Sequence, residues 1–166
     1  MMYKLLFIAS LMLTSCGYHL VGHGTATVIP EGVITATLEA NQNGVDRNLL
    51  AELKYQWQQK DNLPTLADEG MGEEHITLRI EKVKVSFTPA AFDASGLAIQ
   101  YRLSIGGMLS MYQQDTLIWG SGEILESADI FEGSDPSVTE AERNKWTEQL
   151  TQEWAKDALS RLRSGF

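Results

Sequence analysis

The residue best placed for covalent chemistry in this chain is Cys16. It stands behind Leu13-Thr14-Ser15, the nine-residue apolar segment 5–13 and the basic Lys4. A cationic start, a short apolar run and small residues before a cysteine form an export signal cut just ahead of that cysteine. The thiol and the new amine would then carry acyl chains, and several chains together hold a membrane stably where one does not. The run itself is too short to cross a hydrocarbon core of about 30 Å, which takes roughly 20 apolar residues. Two alternatives exist: an ordinary export signal whose cleavage site happens to hold a cysteine, and a buried N-terminal helix. Either would leave a free thiol or a hydrophobic stub unexplained.

Other chemistry-bearing residues are sparse. His19 and His23 have the four-residue spacing of a two-histidine metal site on a helix, but the glycines at 17, 22 and 24 disfavour a helix there. The third histidine is His75 and no second cysteine exists, so exposed tether residues are the simpler account. Glu69, Glu73 and Glu74 form an acidic cluster in a stretch without periodicity, read as solvated charge and not as an acid/base pair. No nucleophile elbow and no phosphate-cradling glycine loop occurs. Catalysis is therefore not expected, nor any cofactor beyond lipid on Cys16. Trp57, Trp119, Trp146 and Trp154 could stack on a ligand, yet three fall on helical apolar stripes, where core packing explains them. Arg79, Lys82, Lys84 and Arg102 fall on the polar parities of two neighbouring strands and could gather on one sheet face. Cross-strand pairing with Glu81 and similar neighbours is the plain account; contact with a phosphate-bearing amphiphile is the sharper one.

The elements that must position these groups follow from punctuation and period. Loss of residues 1–15 leaves about 150 residues, one domain's worth, with a real core. It also removes Lys4, making the formal charge of −9 one unit more negative. That excludes a nucleic-acid partner, which needs a basic stripe, and leaves membrane attachment to the lipid and not to charge. With no second cysteine, packing alone must hold the fold. Residues 16–32 read as a tether, 33–163 as one α+β domain and 164–166 as a tail. Ile34, Ala36 and Leu38 alternate in a first strand over 33–40. Asn43-Gly44 gives a turn, Asp46 an N-cap, and Leu49, Leu50, Leu53 and Trp57 the stripe of a helix to about Lys60.

In 74–88 the apolar parity changes between Ile76/Leu78/Ile80 and Val83/Val85/Phe87, predicting a β-bulge near Glu81-Lys82, and Pro89 closes the strand. Leu97, Ile99, Tyr101, Leu103 and Ile105 alternate in a third strand. A fourth spans 116–130, where Gly120 and Gly122 mark a bend in preference to a ligand cradle. After a loop at 132–136, Ser137 or Thr139 caps a helix to about Arg163, with Trp146, Leu150, Trp154 and Ala158 on its stripe. The order β-α-β-β-β-α predicts two helices on one face of a four-stranded mixed sheet. Strands of 13–15 residues, at about 3.3 Å each, would make a blade roughly 45–50 Å long.

With that order in place, Cys16-Gly17-Tyr18-His19-Leu20-Val21-Gly22 resembles the start of the mature lipopolysaccharide-assembly lipoproteins, the LptE (RlpB) family. Gly96-Leu97-Ala98-Ile99-Gln100-Tyr101-Arg102-Leu103 is similar to that family's hairpin strand. The likeness runs from about 17 to 163; acidity and the non-basic turn Asp93-Ala94-Ser95 depart from it. The resemblance implies a non-catalytic lipoprotein on the periplasmic side of the outer membrane that plugs a large β-barrel, LptD. Together they would place lipopolysaccharide in the outer leaflet, and Arg79, Lys82, Lys84 and Arg102 would be contacts to its phosphates. The competing expectations are a structural adaptor of an envelope secretion or pilus complex and a lipid-anchored hydrolase.

Overall fold

Eight elements follow one another in the computed structural model, which describes residues 27–41, 43–131 and 136–165. Cys16, the export signal 1–15, the motif at 16–22, His19, His23 and the loop at 132–135 lie outside the described residues. The elements are β1 (Thr35–Glu39), α1 (Gly44–Gln58), β2 (Thr65–Leu66), β3 (His75–Phe92), β4 (Ala98–Gln113), β5 (Thr116–Gly120), β6 (Ile124–Phe131) and α2 (Pro136–Ser164). Five form the path β2-β1-β3-β4-β5, and β6 also pairs with β4. β1 runs parallel to β2 and β3, and the remaining pairs are antiparallel, so the sheet is mixed. The α+β class and the helix-covered sheet are as predicted, with six strands in place of four.

The two extra strands have local causes. Ahead of the acidic cluster at Glu69, Glu73 and Glu74, two residues extend alongside β1, Thr65 beside Thr35 and Leu66 beside Ala36; two residues show no period. The expected fourth strand is broken at Ser121-Gly122-Glu123, where Gly122 takes φ +68°. β5 then faces 110–113 of β4 and β6 faces 100–107, end to end on the same side. Arg161 of α2 clamps the break, donating from Nη1 to the carbonyls of Ser121 (3.0 Å) and Glu123 (3.1 Å). The glycine bend is real.

The parity change in β3 is resolved by the bulge. Register with β4 shifts between Glu81 and Lys84, and Lys82 adopts φ +54°. One extra residue returns Val83 and Phe87 to the side of Ile76, Leu78 and Ile80, where both are partly buried against the core. Pro89 does not close the strand, contrary to expectation: pairing continues past it to Phe92, with further shifts at Ala90 and Ile99. A proline is tolerated because among the described residues this part of β3 has a strand on one side only, so one backbone donor is not needed. Leu97 and Ile99, expected on the buried parity, are 68% and 44% exposed. They lie at the far end of the sheet, past the buried core, which stops near Leu103.

Helix ends correct two further expectations. Asn43 is the N-cap of α1, its side chain accepting from the Asp46 N–H at 3.0 Å, so Asp46 sits one turn in and Gly44 is already helical. α2 begins at Pro136, the first-turn position proline suits, which places Ser137 and Thr139 inside it. The predicted stripes pack: Leu49, Leu53, Trp57, Leu150, Trp154 and Ala158 are buried. The Trp154 ring lies on Gly107 of β4, where a Cβ would meet Cζ2 at 3.3 Å. A side chain there would push the indole back by a few tenths of an ångström, so glycine permits the closest seat. Contact with the domain starts early, since Val28 N–H donates to the Leu162 carbonyl at 3.2 Å and Ile29 joins the core. The packed unit therefore begins before residue 33, and α2 runs to Ser164.

Candidate functional site

Since both helices cover one side, the opposite side of the sheet is the surface on which function can be sought. Strand alternation sends Thr35, Thr37 and Glu39 of β1 and His75, Thr77, Arg79 and Glu81 of β3 to that side. His75 is buried, held between two hydroxyls: Nδ1 lies 2.9 Å from Thr35 Oγ1 and Nε2 3.2 Å from Thr37 Oγ1. Thr37 gives its only proton to the Ala67 carbonyl at 3.0 Å, so Nε2–H must donate to it and Nδ1 accepts from Thr35. The loop at Gly70 crosses the ring so closely that a Cβ there would overlap the imidazole. His75 is thus a strand clamp. Among the described residues no group of three or more His, Cys, Asp or Glu is placed to hold a metal ion.

The four cations that could have gathered are spread along the sheet. Arg79 donates from Nε and Nη2 to Glu39 Oε2 at 3.1 and 3.0 Å, and stacks 4.8 Å over the Tyr112 ring. Arg102 makes a two-pronged pair with Asp129, Nε to Oδ1 at 2.8 Å and Nη2 to Oδ2 at 3.0 Å. Arg102 stands opposite Thr88, nine positions along β3 from Arg79, or about 30 Å. Lys82 lies in the bulge, Lys84 stands opposite Gly106, both are exposed, and neither has an ion pair among the described residues. Glu81 is used otherwise, accepting from Ser110 Oγ at 2.8 Å and Tyr112 Oη at 3.0 Å. Hydrogen bonding to Asp129 raises the Arg102 pKa, and the guanidinium in turn holds the Asp129 carboxyl below its usual range. Cross-strand pairing is found for the two arginines, with Glu39 and Asp129 as acids in place of Glu81, and not for the two lysines.

Elsewhere, Glu69, Glu73 and Glu74 lie in the β2–β3 loop, and it is the backbone carbonyls of Glu73 and Glu74 that make bonds, to Gln113 Nε2 and to the N–H groups of Ile34 and Thr35. A surface cleft of about 600 Å³ between the helices is lined by Gln56, Lys145, Glu148, Gln149, Gln152, Glu153 and Lys156. Trp57 and Trp154 are core residues, and Trp57 Nε1 donates to the Pro64 carbonyl at 2.8 Å. What sequence reasoning missed is the outer flank of β6. Leu125 is 62% and Phe131 71% exposed on the uncovered face, while Ile124 and Ile130 are buried on the other. The signal was present: ILESADIF carries large apolar residues on both parities.

No family model matches the chain, and no curated protein matches it. Solved structures do. A rare lipoprotein B from Shewanella oneidensis superposes with a TM-score of 0.61 over 79% of this chain and 95% of its own, at 12% identity. A lipoprotein B from Nitrosomonas europaea gives 0.67 over 80% and 84%, at 7% identity. A minor lipoprotein from Acinetobacter baumannii gives 0.62 over 80% and 92%, at 12% identity. The chain has the lipoprotein B fold. At such identities the backbone arrangement is shared while the surface chemistry is this chain's own.

Proposed function

We propose that this chain is a lipid-anchored, non-catalytic envelope protein of the LptE kind. Acylated Cys16 holds it to the periplasmic leaflet of the outer membrane, the blade seats in the lumen of a large LptD-like β-barrel, and the pair assists placement of lipopolysaccharide in the outer leaflet. The observation that carries this reading is the agreement of two independent signals, the acylation motif opening at Cys16 and the lipoprotein B fold. Length supports it as well: the 18 residues of β3 reach about 60 Å, suited to an elongated lumen. Confining plug and barrel to one leaflet raises their effective concentration without any further contact.

Phosphate contacts fall to Arg79, Lys82, Lys84 and Arg102, with the two lysines unencumbered and the two arginines having to share or leave Glu39 and Asp129. Purification from the outer membrane in mild detergent tests the core of the proposal. A stoichiometric large barrel supports it; a periplasmic ring supports an adaptor of a secretion or pilus complex, and mass spectrometry finding Cys16 without acyl groups removes the anchor. If alanine at all four cations leaves lipopolysaccharide binding unchanged, the phosphate assignment is wrong.

A further inference from the structure

We propose that the outer edge of β6 is a strand-addition site, on which a partner polypeptide lays an extended segment with apolar side chains beside Leu125 and Phe131 and cationic ones over Glu126. The two long edges of the far half of the sheet are built differently. β1 covers β3 only from His75 to Arg79, so from Glu81 onward the outer side of β3 has no strand partner among the described residues. That edge carries four guards: a bulge with Lys82 at positive φ, Lys84, Pro89 and two further register shifts. β6 has none of these. Its eight residues pair with β4 without a shift, contain neither proline nor lysine, and among the described residues have no partner on the outer side. Alternate residues of such a strand point N–H and C=O groups outward, ready for another strand.

The side chains define what would be accepted. On the uncovered face Leu125 stands opposite Gly106, its Cδ1 only 3.4 Å from where a Cβ there would be, and Phe131 stands opposite Gln100. On the helix side Glu126 faces Glu153 and Asp157 of α2. Burial and those two carboxylates raise its pKa, and Arg161 offsets them only in part. That guanidinium is spent on Asp157 Oδ2 (2.8 and 3.0 Å) and on the carbonyls of Ser121 and Glu123. An incoming lysine or arginine would supply the missing charge. A second copy of this chain would bring its own Glu126, and no lysine or arginine from its strand, to the helix side where Glu126, Glu153 and Asp157 already stand, and like charges across a strand pair repel. The occupant is therefore a foreign strand alternating apolar and basic residues. This stands apart from the barrel reading and survives or fails without it.

The test uses the full chain and capped peptides of about nine residues that alternate Ile with Lys, with Glu, or with Thr. Binding is followed by fluorescence anisotropy and by amide hydrogen exchange. The Lys peptide should bind and slow exchange within 124–131 but not within 82–92. Leu125→Lys with Phe131→Lys, both at exposed positions, should weaken it about tenfold, whereas Thr88→Lys on the guarded edge should not. Glu126→Gln should weaken the Lys peptide and leave the Thr peptide unchanged. Equal binding of Lys and Glu peptides, protection at 82–92 in place of 124–131, self-association through 124–131 without peptide, or no saturable binding would each overturn the proposal.

Discussion

At the scale of single residues, the chain shows where one side chain decides local structure and where it does not. Asn43 accepts the Asp46 N–H and closes the first turn of α1; Asn43→Ala should lower stability by about 1 kcal/mol in urea unfolding, the usual cost of a lost cap. Asp46, inside that turn, is buried with Oδ2 unpartnered, so Asp46→Asn should be tolerated better than Asn43→Ala. Glu126 and Asp129 share one strand and titrate in opposite senses. Glu126 holds its proton more tightly when folded, so it opposes folding once ionised, and stability is lost as pH rises through its raised value. Glu126→Gln should therefore raise the melting temperature at pH 7, with the gain vanishing below about pH 4, where both forms are neutral. Asp129 holds its proton less tightly when folded, so its contribution is present at neutral pH and fades on the acid side of about pH 4. Asp129→Asn should flatten that acid limb.

At the scale of elements, the bulge and the tryptophan seat are the two devices that let a long strand pair lie under two helices. Lys82 occupies the left-handed region, so Lys82→Val should cost about 1 kcal/mol more than Lys82→Gly in denaturant titration. Trp154 fills the space above Gly107; Trp154→Ala should cost about 3–5 kcal/mol through the cavity left behind. These elements also show what a sequence can and cannot disclose. The bulge was legible because period-two burial leaves a parity record, and a slip in that record has one physical cause. The stripes Leu49-Leu53-Trp57 and Leu150-Trp154-Ala158 were legible for the same reason at period 3.6. β2 was not, since two residues carry no period, and Asn43 was misjudged because Asn-Gly is equally good at turning and at starting a helix. The ion partners Glu39 and Asp129 were beyond reach: they come from strands whose register with Arg79 and Arg102 exists only after folding. The exposure of Leu97 and Ile99 was hidden because alternation records a side of the sheet and not how far along it the helices extend.

At the scale of the whole molecule, the core is unevenly distributed. Ala36, Leu38, Ile76, Leu78, Leu109 and Met111 lie fully or nearly fully buried at one end, whereas Val85, Phe92, Leu97 and Ile99 are 40–68% exposed toward the other. Few buried contacts and many exposed backbone bonds mark a region that opens locally. Native-state hydrogen exchange should find amides in 84–102 opening well before those in 76–80 and 105–111; equal protection along β3 would contradict this. Val28 bonds to Leu162, and Gly165 lies within 3.4 Å of the Val28 side chain when given a Cβ, so the chain enters and leaves at one pole. α2, 29 residues long, carries the polypeptide about 43 Å from the other pole back to it. A fluorophore fused after Gly165 would consequently report from the same pole as one placed upstream of Val28, and a second dye in the Asp93-Ala94-Ser95 turn would report from the opposite one. That geometry makes the molecule its own molecular ruler for whichever compartment its far pole reaches.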